Sequence, residues 1–189
     1  MAEIGETIVN PATGERIEFR TTRASSGGAL LEFELTLAPY GRVGGVPHQH
    51  PAQETIEVVD GTLTARLGSE RMHISPGETL VIPPGRGHYL YNETPHEIRA
   101  IVRAEPARDF ETFFETVFEL AQARRDRAFR GLPAPLHAAL LSETYDVFAP
   151  VVPMALQRPV LRALAALGRK RGYPVRVPAE RARADGVAA

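Results

Sequence analysis

Apolar side chains recur at alternate positions through the first 105 residues and at spacings of three and four thereafter. Leu31, Phe33, Leu35 and Leu37 alternate with Glu32, Glu34 and Thr36, the pattern of a strand with one buried face. Ile8-Val9 and the run Arg16 to Arg20, with Ile17 and Phe19 on one face, predict entry strands around a turn at Asn10-Pro11 through Gly14-Glu15. The alternation of Ile56 and Val58 stops at Asp60-Gly61, a strong hairpin signal. Its partner strand carries Leu63, Ala65 and Leu67. Further short strands follow at Met72 and Ile74, at Thr79 to Ile82, at Leu90, and at Ile98, Ala100 and Val102, with Ala104 to Pro106 closing the array. Short strands joined by tight glycine and proline turns predict an antiparallel all-β barrel or jelly roll.

The period then changes. Phe110, Phe113, Phe114, Val117, Phe118 and Ala121 share one face of a helix, with Glu111, Glu115, Arg124 and Arg125 on the polar face and Gly131 as its stop. The phenylalanine stripe reads as packing against the outside of the strands, ahead of a lid or a dimer surface. A second helix is expected after Pro135 with Leu136, Leu140 and Leu141. A third, Arg158 to Lys170, sets Leu161, Leu164 and Leu167 against Arg158, Arg162 and Arg169. That basic amphipathic pattern suits a membrane surface, but prolines at 150, 153 and 159 interrupt it, and docking on the protein itself is the preferred reading. From Pro174 the tail reads as mobile. Two parts are therefore expected: a β domain over 1–105 and a helical extension over 106–189.

Charge adds little: 22 Lys and Arg against 23 Asp and Glu give a net charge of −1, which supplies no electrostatic reason for a nucleic-acid partner. The absence of cysteine removes disulfides and thiolate ligands, leaving histidine and carboxylate as metal donors. With no leader pattern and no long apolar run, a cytoplasmic location is expected and a membrane one is not.

Candidate chemistry sits between Gly41 and Asn92, in two blocks: Pro47-His48-Gln49-His50-Pro51-Ala52-Gln53-Glu54, and Gly77, Pro83, Gly85, His88, Asn92. His48 and His50, two apart on an extended chain, aim at the same face. Glu54 shares that parity, yet an unbroken strand would carry it about 13 Å past His50. Pro51 is suited to the turn that brings it back. His88 follows the bend Pro83-Pro84-Gly85-Arg86-Gly87, which can return it to the same pocket. The glycines of Gly41 to Gly45 lack the lysine and the strand-to-helix setting of a phosphate loop and read as a flexible connection. His73, His96 and His137 are assigned to surface or packing.

These blocks resemble the two sequence motifs of the cupin superfamily: His48, His50, Glu54 and Gly61 in the first, Gly77, Pro83, Gly85, His88 and Asn92 in the second. Only Gly41 departs, one residue further from His48 than the usual pattern. The resemblance implies a cupin double-stranded β-helix, a jelly-roll barrel, followed by C-terminal α-helices. It also implies that His48, His50, Glu54 and His88 hold a divalent transition metal, with Fe, Mn, Ni, Cu and Zn all compatible. A segment like Leu156-Gln157-Arg158-Pro159, ending near Gly172-Tyr173, extends the likeness to bacterial single-domain cupins with a helical extension.

Three imidazoles and one carboxylate around a divalent ion leave net positive charge and two open positions on a six-coordinate ion. The leading expectation is thus a metal-dependent enzyme acting on a small organic molecule, with dioxygenase-like oxidation as its first candidate reaction. A noncatalytic cupin that binds or senses a small ligand is the alternative. Sugar isomerisation is a third reading, which mostly apolar inward positions disfavour. Phe33, Ile56, Val58, Met72 and Leu90 are candidate pocket residues, no separate general base stands out, and a homodimer through edge strands is expected.

Overall fold

Nine strands and three helices form in the computed structural model, which describes residues 2–122, 133–150 and 152–177. The strands are β1 (Thr7–Asn10), β2 (Glu15–Thr21), β3 (Leu31–Leu37), β4 (Gln53–Asp60), β5 (Leu63–Leu67), β6 (Glu70–Ile74), β7 (Thr79–Ile82), β8 (His88–Tyr91) and β9 (Ile98–Glu105). They pair antiparallel in two sheets, ordered β1-β2-β3-β9-β4-β7 and β6-β5-β8. In register across the larger sheet, Phe19 pairs with Phe33, Phe33 with Val102, and Val102 with Ile56. This puts the alternating apolar residues of four strands on one face, where they share a buried core with Leu63, Ala65 and Leu90 of the smaller sheet. Each fully buried Leu, Ile or Phe contributes about 1.5–3 kcal/mol, so the alternation itself drives the pairing.

The glycine-rich stretch from Gly41 to Gly45, expected to be a flexible connection, is pinned along β8. Asn92 N donates to Gly41 O (2.9 Å), and Val43 N donates to Leu90 O (2.9 Å). The Asn92 side chain is buried and donates to His96 O and Ala38 O, tying the end of β8 to the end of β3. Gly41 is crowded as well, since a Cβ there would lie 2.9 Å from Ala38 O.

The helices are α1 (Phe110–Gln122), α2 (Pro135–Tyr145) and α3 (Met154–Lys170). Arg124, Arg125 and the expected stop at Gly131 lie outside the described residues. The polar face expected for α1 is not solvated: Glu111 and Glu115 are buried. Glu111 accepts from the backbone N–H of Arg23, and Glu115 faces Arg176 at 3.7 Å. A helix wedged between the sheets and the following segments must bury acidic groups too, and here each meets a donor or a cation.

α3 begins four residues earlier than expected and contains Pro159 without ending there. The helix is already started by Leu156 N and Gln157 N, both donating to Pro153 O, so the proline forgoes one hydrogen bond near the N-terminal end. It docks on α2, but through a different face from the one expected. Ala165 and Gly168 are buried, and a Cβ at Gly168 would lie 3.0 Å from Leu136 O; Leu164 and Leu167 are exposed. Small residues allow the close approach and roll the leucines outward. The tail is tied down as far as it is described. His137 Nε2 bonds to Pro174 O (2.8 Å), Tyr145 Oη donates to Val175 O (2.7 Å), and Val177 N donates to Thr116 Oγ1 (3.2 Å). The expected mobility from Pro174 does not extend to these residues, and 178–189 lie outside the described ones. No helix among the described residues is long and apolar enough to cross a membrane.

Candidate metal centre

The two sequence blocks meet as a strand-like pair: His48 N donates to His88 O and His88 N to His48 O, each at 2.9 Å. Gly85 N, in the bend before β8, donates to His50 O at 2.8 Å. These bonds bring one ligand atom from each of His48, His50 and His88 within 4.8 Å of one another. Glu54, at the start of β4 and buried, joins them from the side. Its Oε2 lies 3.1 Å from His50 Nε2 and 3.3 Å from His88 Nε2. The turn at Pro51 and Ala52 thus returns the chain as the parity argument required.

Backbone carbonyls orient two of the rings. His88 Nδ1 lies 2.8 Å from Arg86 O and His48 Nδ1 3.0 Å from Val46 O, so each Nδ1 carries the proton and each Nε2 keeps a lone pair. His88 Nε2 is buried with no hydrogen-bond partner, and so is His50 Nδ1. An orphaned imidazole nitrogen beside two further imidazoles and a carboxylate is what a cation would satisfy, and the donor set fits a divalent transition metal.

Electrostatics agree. Burial, reinforced by the neighbouring His88, pushes His48 down to about 3, so it stays neutral and ligand-competent. Burial also opposes charge on Glu54 and His88, but the hydrogen bond between His50 and Glu54 and the attraction between Glu54 and His88, 3.3 Å apart, outweigh it. Glu54 is held well below the usual carboxylate range and His88 above the usual imidazole one. The field that would hold a proton on His88 would equally hold a cation.

His48 and His50 open onto a cavity of about 620 Å³. His48, His50 and Glu54 line it; His88 is buried at 2 % exposure and does not. Of the candidate pocket residues, Phe33 lines it. Ile56, Val58 and Leu90 are core, and Met72 packs against that core, all outside this lining. The reason is strand rise: each two-residue step past Glu54 or His88 carries a side chain about 6.6 Å further between the sheets.

Roughly half of the lining comes from beyond residue 106. Phe110, Phe113, Phe114, Val117 and Phe118 face the cavity, so the stripe expected on the outside of the strands is an inner wall. Phe110 lies 5.1 Å from the His50 ring and Phe114 5.4 Å from Phe33, both edge to face. A second wall comes from α2 and from Val147, Phe148 and Ala149. Phe148 forms an isolated antiparallel bridge with Gln49, between the two ligands of the first block. The segment is held from α3, where Gln157 Nε2 donates to Ala149 O (2.7 Å) and Arg158 sits over the Phe148 ring. Pro150 packs so tightly on Gly87 that a Cβ there would lie 2.5 Å from Pro150 Cβ.

Glu15 escaped the sequence reading. It lines the cavity at 1 % exposure, with Thr13 Oγ1 donating to Oε2 (2.5 Å) and Gly44 N to Oε1 (3.2 Å). Burial raises its carboxyl to about 7 against these two bonds. The signal was there: Glu15 shares parity with Ile17 and Phe19, an acid at an inward position. His73 and His96 are exposed, and His137 is buried in packing against Tyr173, away from the cluster.

Residues 33–102 match the family model described as a cupin domain, a span containing both blocks. No curated protein matches the chain. Among solved structures, the polyketide cyclase RemF from Streptomyces resistomycificus is similar at 19% identity, over 56% of this chain and 78% of its own, with a TM-score of 0.47. KdgF from Halomonas sp. gives 24%, 55%, 88% and 0.46. An RmlC-like cupin from Shewanella frigidimarina gives 17%, 59%, 92% and 0.47. With both motifs inside the matched span and its histidines gathered at one point, residues 33–102 of this chain form a cupin domain.

Proposed function

We propose that the protein is a metal-dependent enzyme acting on a small organic molecule, with His48, His50, Glu54 and His88 as the ligand set and dioxygenase-like oxidation as the reaction class. The observation that carries this reading is the convergence of three imidazoles and a carboxylate at the wall of a deep apolar cavity, with a buried ring nitrogen that makes no hydrogen bond. A divalent transition metal held there supplies Lewis acidity and, where the ion is redox-active, an exchange of electrons. The chain's own part is positional. Arg86 O and Val46 O fix the tautomers, Phe110 backs His50, and the apolar walls keep water from the substrate. Glu15 is the group suited to hold or release a proton near neutral pH, because a carboxyl raised to about 7 can do either. The test is oxygen uptake by protein loaded separately with Fe, Mn, Ni or Cu and offered enolizable and catecholic compounds. Uptake that disappears in His88→Ala supports the assignment; no uptake with any metal and any compound removes the oxidative reading.

One observation favours a noncatalytic ligand-binding module as the second reading. Beyond the ligand set, Glu15 and Ser142 are the charged or hydrogen-bonding side chains among the described residues of the cavity lining, a sparse supply for proton transfer. Saturable ligand binding with an unchanged ligand recovered afterwards would establish it.

A further inference from the structure

The polar groups of the cavity are segregated from its walls. His48, His50 and Glu54 stand together, Glu15 is linked toward them through Gly44, and a Cβ at Gly44 would lie 3.3 Å from His48 Cε1. Away from this cluster the described lining residues are aliphatic or aromatic except for Ser142. Along α1 the rings follow one another: Phe110 against His50, Phe113 5.8 Å from Phe114, and Phe114 6.2 Å from Phe118 and 5.4 Å from Phe33. Such a row offers ring edges and faces to a flat guest, an arrangement worth about 0.5–1.5 kcal/mol per pair beyond the area buried. A volume of about 620 Å³ falls within the 300–1,000 Å³ of sites that enclose drug-sized ligands. It is far more room than a two- or three-carbon acid would fill. A sugar or citrate would leave its hydroxyls or carboxylates unpaired against Phe, Val and Leu, at roughly 1–3 kcal/mol for each buried group.

We propose that the cavity takes a largely apolar, ring-containing molecule of fused-ring size that presents a chelating pair of oxygens to the histidine end, and that α1 and α2 are its specificity wall. The helical extension thereby acquires a role: it supplies the surface that recognises the body of the ligand, while the strands supply the surface that recognises its head. This deepens the proposed function and rests on the metal reading for the orientation of the head alone; the apolar wall stands without it.

The experiment is equilibrium titration of the full chain, metal-loaded and metal-stripped, with 1-hydroxy-2-naphthoate as the fused-ring chelator and citrate as the polar one. Naphthoate is expected to bind the loaded protein at least about tenfold more tightly than citrate, equivalent to about 1.4 kcal/mol. Ala138→Phe on α2 and Val117→Trp on α1 fill the cavity from its two helical walls. Either variant that unfolds like the parent is expected to weaken naphthoate about tenfold or more while leaving the bound metal stoichiometry unchanged. Equal or tighter binding of citrate overturns the proposal, whatever the variants do. So does undiminished naphthoate binding in a folded filled variant. If the protein retains no metal and naphthoate still binds and is still displaced by cavity filling, the metal reading fails and the apolar site stands.

Discussion

Gln49 and Phe148 exchange two backbone hydrogen bonds, Gln49 N to Phe148 O at 2.8 Å and Phe148 N to Gln49 O at 3.0 Å, across about a hundred residues of chain. Gln49 sits between His48 and His50. The strand-like segment that carries His48 and His50 is therefore paired on one side with β8, through His88, and on the other with the connection between α2 and α3. The helical extension is part of the framework of the candidate centre as well as the wall of its cavity.

Breaking the hold of α3 on this connection should loosen the centre without touching a ligand. Gln157→Ala removes the bonds to Ala149 O and Val152 O, at a cost of about 1 kcal/mol each. The expected result is faster proteolysis between residues 146 and 152 and an about tenfold weaker metal affinity, the low end of the roughly 10–100-fold range for groups that only orient ligands. Limited proteolysis followed by mass analysis reads the first, and competition with a chelator the second.

Gly87 is where the connection meets the second block. A methyl group there would lie 2.5 Å from Pro150 Cβ, so Gly87→Ala must displace either the bend before His88 or the segment bearing Phe148. Urea denaturation should show a loss of about 1–3 kcal/mol, typical of overpacking. An unchanged midpoint would mean that Pro150 does not press on Gly87 in solution.

Metal should stabilise the fold in proportion to its occupancy. At a free concentration a hundred times the dissociation constant, the gain in unfolding free energy is about 2.7 kcal/mol. Chelator should reverse it. His88→Ala should lose the gain and bring the metal content to background by elemental analysis, because it removes a buried ligand whose Nε2 makes no hydrogen bond.

Glu15 gives a pH dependence with a definite sign. Its carboxyl is raised by burial from 4.5 to about 7, so the folded protein binds this proton more tightly than the unfolded chain does. The associated stability is complete below about pH 4.5, declines as pH rises through 7, and is absent above it, a change of up to about 3 kcal/mol. Glu15→Gln cannot titrate. Wild type should therefore fall relative to the variant between pH 4.5 and 7.5 when both are unfolded in urea at each pH; parallel curves would show that Glu15 is ionised at neutral pH.

Much of this protein is present in local spacing. Strand alternation depends on neighbours two residues apart and helix amphipathicity on neighbours three and four apart, so the sheets, α1, α2 and the four candidate ligands could all be named from the chain alone. His48 and His50 needed parity; Glu54 needed a proline turn; His88 needed a glycine bend.

What spacing could not supply is which surfaces meet. A phenylalanine stripe has the same sequence whether it covers the outside of a sheet or walls a cavity, and α1 became a wall because its rings meet Phe33 and His50, residues sixty and more positions earlier. Leu164 and Leu167 looked like a docking face, but the close approach allowed by Ala165 and Gly168 turned α3 the other way. Glu15 is raised only because distant segments bury it, and the Gln49–Phe148 bridge is a contact with no local signature. Periodicity along the chain determined which side chains share a face; the tertiary structure decided what each face is opposite, because burial, ring contact and hydrogen bonding are made between segments that the order of residues does not place together.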